Sequence, residues 1–228
     1  MFSASPKGIL QEVRIGALGF AGDINVPPNA EALVVFAHGS GSSRLSPRNR
    51  SVAAALNKNG IATLLFDLLT PEEESDRANV FDIPLLAQRL IGAVEWIDTE
   101  PRLNPLSLGL FGASTGAAAA LVAAAQLGAR IGAVVSRGGR PDLASTALPK
   151  VTAPTLLIVG GLDYGVIELN EQAFAELRAP KALKIVPGAT HLFPEPGAME
   201  AVIALAAEWF KQHLTGSQPG RHKTRRAS

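Results

Sequence analysis

Six short runs of consecutive apolar residues recur along the chain, at 33–37, 61–66, 106–111, 131–135, 155–159 and 183–186. Continuous apolar runs of this length, rather than alternating ones, predict strands covered on both faces. Residues 12–17 and 22–26 precede them and predict a hairpin at one sheet edge. Between the runs the period changes to that of helices. Ser46-Pro47 supplies an N-cap and a proline at the first helical position, and Asn59-Gly60 stops that helix just before the next strand, which makes one βαβ crossover. Residues 115–127 are so rich in alanine that this helix should be buried almost all round. Near the end, Met199, Val202, Ile203, Ala206, Trp209, Phe210 and His213 recur at helical spacing and predict an apolar stripe lying on the sheet. Strands alternating with helices in this way give an α/β fold, a mainly parallel sheet with helices on both faces. The longest polar connection, 71–82 (PEEESDRANVFD), reads as a solvated surface loop leaning over one end of the sheet. With no internal repeat and no linker, residues 1–214 read as one domain.

Composition narrows the picture. At 228 residues, with 47% hydrophobic and 18% charged, the chain can bury a substantial core and lies far from disordered compositions. It has no cysteine, which excludes disulfides, thiolate chemistry and cysteine zinc sites. That absence fits a cytoplasmic location, the expectation adopted. No apolar run is long enough to span a membrane, so neither secretion nor insertion is expected. The net charge of +1 conceals an asymmetry: Arg221, Lys223, Arg225 and Arg226 crowd into the last eight residues, and the other 17 cations face 20 acids. The body therefore offers no basic footprint for nucleic acid, and 215–228 reads as a basic, disordered tail.

The candidate chemistry begins where the run LSLGLF ends. Gly112-Ala113-Ser114-Thr115-Gly116 stands between that strand and the alanine-rich helix, the strand-to-helix context that G-x-S-x-G requires. A sharp turn there exposes the serine hydroxyl above the sheet, and the free N–H groups of the helix start can stabilise an oxyanion. A serine nucleophile needs a base. Of four histidines, His213 lies on the last helix and His222 in the tail, whereas His191 lies in Gly188-Ala189-Thr190-His191-Leu192-Phe193, a loop between the last strand and the last helix. Asp163, directly after the strand at 155–159, can orient the imidazole, the alternative being a turn or N-cap aspartate. The order Ser114, Asp163, His191 is that of nucleophile, acid and base in α/β-hydrolases. His38-Gly39-Ser40-Gly41 follows the first central strand. The backbone N–H groups of Ser40 and Thr115 are the expected oxyanion donors, with Gly41 as rival to Ser40, and His38 is expected to hydrogen-bond backbone in its loop.

With these motifs, residues 10–214 resemble the α/β-hydrolase superfamily, and within it the dienelactone-hydrolase-like group. The resemblance implies an eight-stranded sheet whose second strand is antiparallel, and cofactor-free hydrolysis of a small ester, lactone or related acyl bond through an acyl-enzyme. It departs at one position. Dienelactone hydrolases proper use cysteine where this chain has Ser114, so the reading is a serine esterase. The 136–153 connection is too short for a cap domain, which predicts an open site. Arg44 and Arg137, and less directly Arg48 and Arg140, follow strands on the catalytic edge and are candidates to bind an anionic substrate, unless they pair with Asp67, Asp142 or the Glu72-Glu73-Glu74 run. The expected partner is a small acyl substrate, with no metal and no cofactor. Acyl transfer, thioester or amide cleavage on the same residues, or a non-catalytic binding module, are the alternatives.

Overall fold

The computed structural model describes residues 9–215. All but Thr215 of the predicted basic tail lies outside them. Eight strands, β1 (Ile9–Ile15), β2 (Phe20–Val26), β3 (Ala32–Ala37), β4 (Ala62–Phe66), β5 (Ser107–Ala113), β6 (Ile131–Arg137), β7 (Thr155–Gly160) and β8 (Lys181–Val186), form one sheet in the order β1-β2-β4-β3-β5-β6-β7-β8. β2 is antiparallel to both neighbours, β1 and β4, and every pair from β4 to β8 is parallel. This is the open, mainly parallel sheet expected, with the antiparallel hairpin at one edge.

Among the described residues there are seven α-helices, α1 (Pro47–Lys58), α2 (Pro71–Ser75), α3 (Arg77–Val80), α4 (Ile83–Thr99), α5 (Thr115–Leu127), α6 (Tyr164–Glu176) and α7 (Ala198–Leu214), of which all but α2 and α3 bury side chains of their own. The strands alternate between two cores. Leu33, Val35 and Ala37 of β3 pack in the cluster that includes α4 and α5, while Ala32, Val34 and Phe36 pack in the one that includes α1 and α7. Two covered faces are why these strands read as unbroken apolar runs. In α5, Ala117 to Leu121 are fully buried, so the small side chains let its backbone lie close to the sheet.

Two sequence expectations need correcting. β8 is an edge strand, with Lys184 and Ile185 exposed rather than covered on both faces. The 71–82 segment is not a loop but contains α2 and α3. Thr70 and Glu73 cap α2 reciprocally, the threonine hydroxyl accepting from Glu73 N–H and the glutamate accepting from Thr70 N–H, and Asp76 caps α3. Between β6 and β7 there is only a short 3-10 segment, Pro141–Lys150, so no cap domain stands over the sheet among the described residues. No described helix is long and apolar enough to cross a membrane.

Candidate active site

β5 runs without interruption to Ala113, and α5 starts at Thr115, so the chain reverses at Ser114 alone. That residue takes φ 52° and ψ −122°, a conformation costing about 1–3 kcal/mol for a residue with a side chain. Two glycines permit the turn. A Cβ on Gly112 would collide with the α5 backbone at Gly116 and Ala117, and one on Gly116 would collide with the carbonyl oxygens of Ala37 and His38. The pentapeptide is thus glycine at both ends because the helix start is wedged between β3 and β5.

The elbow is also held from the side. Ser114 N–H donates to the Arg137 carbonyl at 3.3 Å, and Arg140 N–H donates to the Ser114 carbonyl at 3.1 Å. The same 137–140 loop is tied to α6 by Asn170, fully buried, whose amide donates to Gly139 O at 3.0 Å. Gly138 lies against His191: a Cβ there would sit 2.9 Å from the histidine carbonyl and 3.7 Å from ring atom Cε1. Elbow, Gly138 and imidazole are therefore in contiguous contact.

His191 Nδ1 and Asp163 Oδ2 are 2.7 Å apart. Asp163 is the N-cap residue of α6 and its N–H closes a turn onto Gly160 O at 3.0 Å, but its side chain makes no capping bond, so the carboxylate is left to the imidazole. With Nδ1–H donated to Asp163, Nε2 is the ring nitrogen left to accept a proton. The loop carrying His191 is braced by Glu195, which accepts from Thr190 Oγ1 at 2.6 Å and from Thr190 N–H at 3.1 Å. The Thr190 hydroxyl and backbone bonds hold the Glu195 carboxyl below its ordinary pKa. Phe193 follows in a left-handed conformation, φ 54°, with its side chain buried.

The expected oxyanion donors lie side by side, with one difference. Ser40 N–H donates to Thr115 Oγ1 at 3.0 Å, so the threonine hydroxyl occupies the donor that an oxyanion would need. Thr115 N–H opens α5 and has no intrahelical acceptor. His38 is structural, as read from the sequence: Leu68 N–H donates to Nε2 at 3.1 Å and Nδ1 meets Gly39 O at 3.1 Å. Accepting at Nε2 requires the neutral Nδ1–H tautomer, and burial accordingly lowers the His38 pKa. A small cleft beside these groups is lined by Ser40, Thr115, Leu86, Glu74 of α2 and Val80 of α3, so the 71–82 segment borders the Ser40–Thr115 corner. A larger cavity, about 520 Å³, opens between β1, β2, β4 and α1 and includes none of these residues.

The four arginines divide cleanly. Arg44 donates to Asp67 from Nη1 at 2.6 Å and from its backbone N–H at 2.8 Å, with Asp23 3.6 Å from Nε. Arg140 grips Asp142 through two bonds of 2.8 and 2.7 Å. These two pin loops, which corrects the reading of Arg44 as a free anion receptor. Arg137 and Arg48 have no carboxylate partner among the described residues, and Arg137 is 6% exposed. Burial, with the nearby charge of Arg48, lowers the Arg137 pKa to about 10. Asn170, the Thr190–Glu195 brace and the Thr115 hydroxyl were not singled out in the sequence. Only Asn170 left a signal, a lone amide three residues from Ala173 on the buried face of α6.

Comparison with known proteins agrees with this geometry. The model of the dienelactone hydrolase family matches residues 20–214. Among solved structures, a dienelactone hydrolase from Anabaena variabilis is 54% identical, covering 92% of this chain and 100% of its own, with a TM-score of 0.87. Est1E from Butyrivibrio proteoclasticus shares the fold at 17% identity and a TM-score of 0.74, over 89% of this chain and 98% of its own. Two Mycobacterium tuberculosis proteins, provisionally named phosphoribosyl transferases, are 58% identical over 219 residues, 95% of this chain and 49% of theirs. The chain thus spans about half the length of the curated relatives it matches.

Proposed function

Since the chain belongs to the dienelactone hydrolase family and is by that membership a hydrolase, we propose that it cleaves a small ester or lactone through a covalent acyl-enzyme. Ser114 Oγ attacks the acyl carbon, and His191 takes the serine proton at Nε2. As the tetrahedral intermediate collapses, the imidazolium returns that proton to the leaving alkoxide, leaving the acyl group on serine. Water, deprotonated by the same nitrogen, then attacks the acyl carbon, and the acid leaves as the imidazolium returns the proton to Ser114 Oγ. Asp163 holds the imidazole in the tautomer that makes this possible. The observation that carries the reading is the 2.7 Å Asp163–His191 bond, taken with the strained turn that Ser114 makes between β5 and α5.

The oxyanion hole in this reading uses the Thr115 and Ser40 N–H groups, the Thr115 hydroxyl rotating away as the oxyanion takes its place. With no cap among the described residues and only a small cleft by Ser40, a short acyl group is favoured over a long lipid chain. The transferase name of the mycobacterial proteins belongs to chains about twice as long as the matched segment, and it is not carried over to a segment whose own fold is that of the dienelactone hydrolase family.

Turnover of short-chain aryl esters by the wild type and by Ser114→Ala and His191→Ala tests the proposal. Both variants should fold with unchanged melting temperature and lose kcat/KM by about 10⁴-fold or more. Retention of wild-type turnover by Ser114→Ala would remove the nucleophile from this reading.

A further inference from the structure

Arg137 is the last residue of β6 and pairs in register with Ala113, one residue before the elbow, while its carbonyl holds Ser114 N–H. Strand periodicity places its side chain on the same face as Ala133 and Val135, the face covered by α1 and α7. There it is 6% exposed, and neither Nε nor Nη1 has a hydrogen-bond partner. The nearby cation is Arg48, in the first turn of α1, whose own Nε is buried and equally unpartnered. That turn contains no acidic residue, and Asn49 beside it is buried with Oδ1 unpaired.

Buried guanidinium groups are ordinarily met by carboxylates, because an unpaired charge out of water is strongly unfavourable. Asp67, Asp23 and Asp142 are each paired with another arginine: Asp67 with Arg44, Asp23 with Arg44 and Arg50, and Asp142 with Arg140. Two guanidinium groups near enough to repel, one of them in the first turn of a twelve-residue helix, are left without a carboxylate partner among the described residues. Loss of the proton does not relieve the pair, because a pKa of about 10 leaves Arg137 cationic at neutral pH. Arg48, half-buried, is the more exposed of the two.

We propose that Arg48, Arg137 and the start of α1 form a receptor for a doubly charged oxoanion of the phosphate or sulfate type, carried by the substrate of the adjacent serine site. This deepens the hydrolase reading and rests on it for the word substrate. A dianion balances both guanidinium groups, whereas a single carboxylate leaves one charge unmatched. Guanidinium forks suit tetrahedral oxoanions because each can donate two parallel bonds.

The full chain titrated calorimetrically with inorganic phosphate, sulfate and acetate tests this. Phosphate and sulfate should bind at one site, with acetate weaker by about tenfold or more, and Arg48→Gln should weaken phosphate by about tenfold or more. Arg48 is the residue to change because Arg137→Gln, in the buried position, can fail to fold. Methyl phosphate should raise KM for an ester without lowering kcat. No phosphate binding by the wild type, acetate binding as tightly as phosphate, equal phosphate affinity in Arg48→Gln, or binding without competition would each overturn the proposal. Fluorophosphonate labelling of Ser114 scores the hydrolase reading separately. Labelling without phosphate binding removes the receptor alone. Phosphate binding without labelling keeps the receptor and removes the hydrolase.

Discussion

Asp163 shows how one side chain can be assigned by what it declines to do. Standing at the N-terminus of α6, it leaves the helix N–H groups alone and gives Oδ2 to His191 at 2.7 Å. In Asp163→Asn the amide can present an N–H to Nδ1 and turn the imidazole to the wrong tautomer with little change in shape. Ester kcat should fall by about 10³–10⁴-fold with the melting temperature nearly unchanged, as read by steady-state kinetics beside thermal unfolding. Thr115 poses the opposite question, because its hydroxyl sits on a proposed oxyanion donor. Thr115→Val keeps the shape and the backbone N–H while freeing Ser40 N–H. Its kcat should stay near wild type or rise, rather than show the ~10²–10³-fold loss that follows removal of an oxyanion donor. A loss of that size would mean that the hydroxyl orients Ser40 instead of blocking it.

At the scale of elements, the elbow depends on how closely α5 approaches β3. A methyl group on Gly116 meets the carbonyl oxygens of Ala37 and His38, neither of which can move without disturbing the β3–β5 pairing. Gly116→Ala should therefore destabilise the protein by about 3 kcal/mol, the upper end of overpacking effects, which corresponds to a fall of roughly 6–12 °C in Tm for a domain of this size. Differential scanning calorimetry reads this directly. Strands and elbow were legible in the sequence because burial on two faces produces unbroken apolar runs, and because Ser114, Asp163 and His191 each fall just beyond such a run. β8 misled, since LKIV is short enough for an edge strand to imitate a central one, and only its neighbours reveal which it is. The helices at 71–82 were hidden by polarity: a capping box can start a helix with no buried face to mark it. Contacts between distant residues left no mark at all. Ser40 and Thr115 are 75 residues apart, and which arginine finds a carboxylate depends on which loop ends come within reach.

For the molecule as a whole, one sheet edge collects the residues of the proposed site. The C-terminal ends of β3, β5, β6 and β7 and the loop after β8 deliver Ser40, Ser114, Arg137, Asp163 and His191 in turn, as open parallel sheets place their sites. Helices and the hairpin edge supply the burial that keeps these ends fixed. The family assignment carries the hydrolase class, while the roles proposed for particular residues rest on their placement in this chain. The measurement that bears most directly on the central claim is intact-protein and peptide mass spectrometry after treatment with a fluorophosphonate. Wild type should gain one adduct on the peptide containing Ser114, and His191→Ala should label far more slowly. An unlabelled wild type, or an adduct on any other residue that persists in Ser114→Ala, would contradict it.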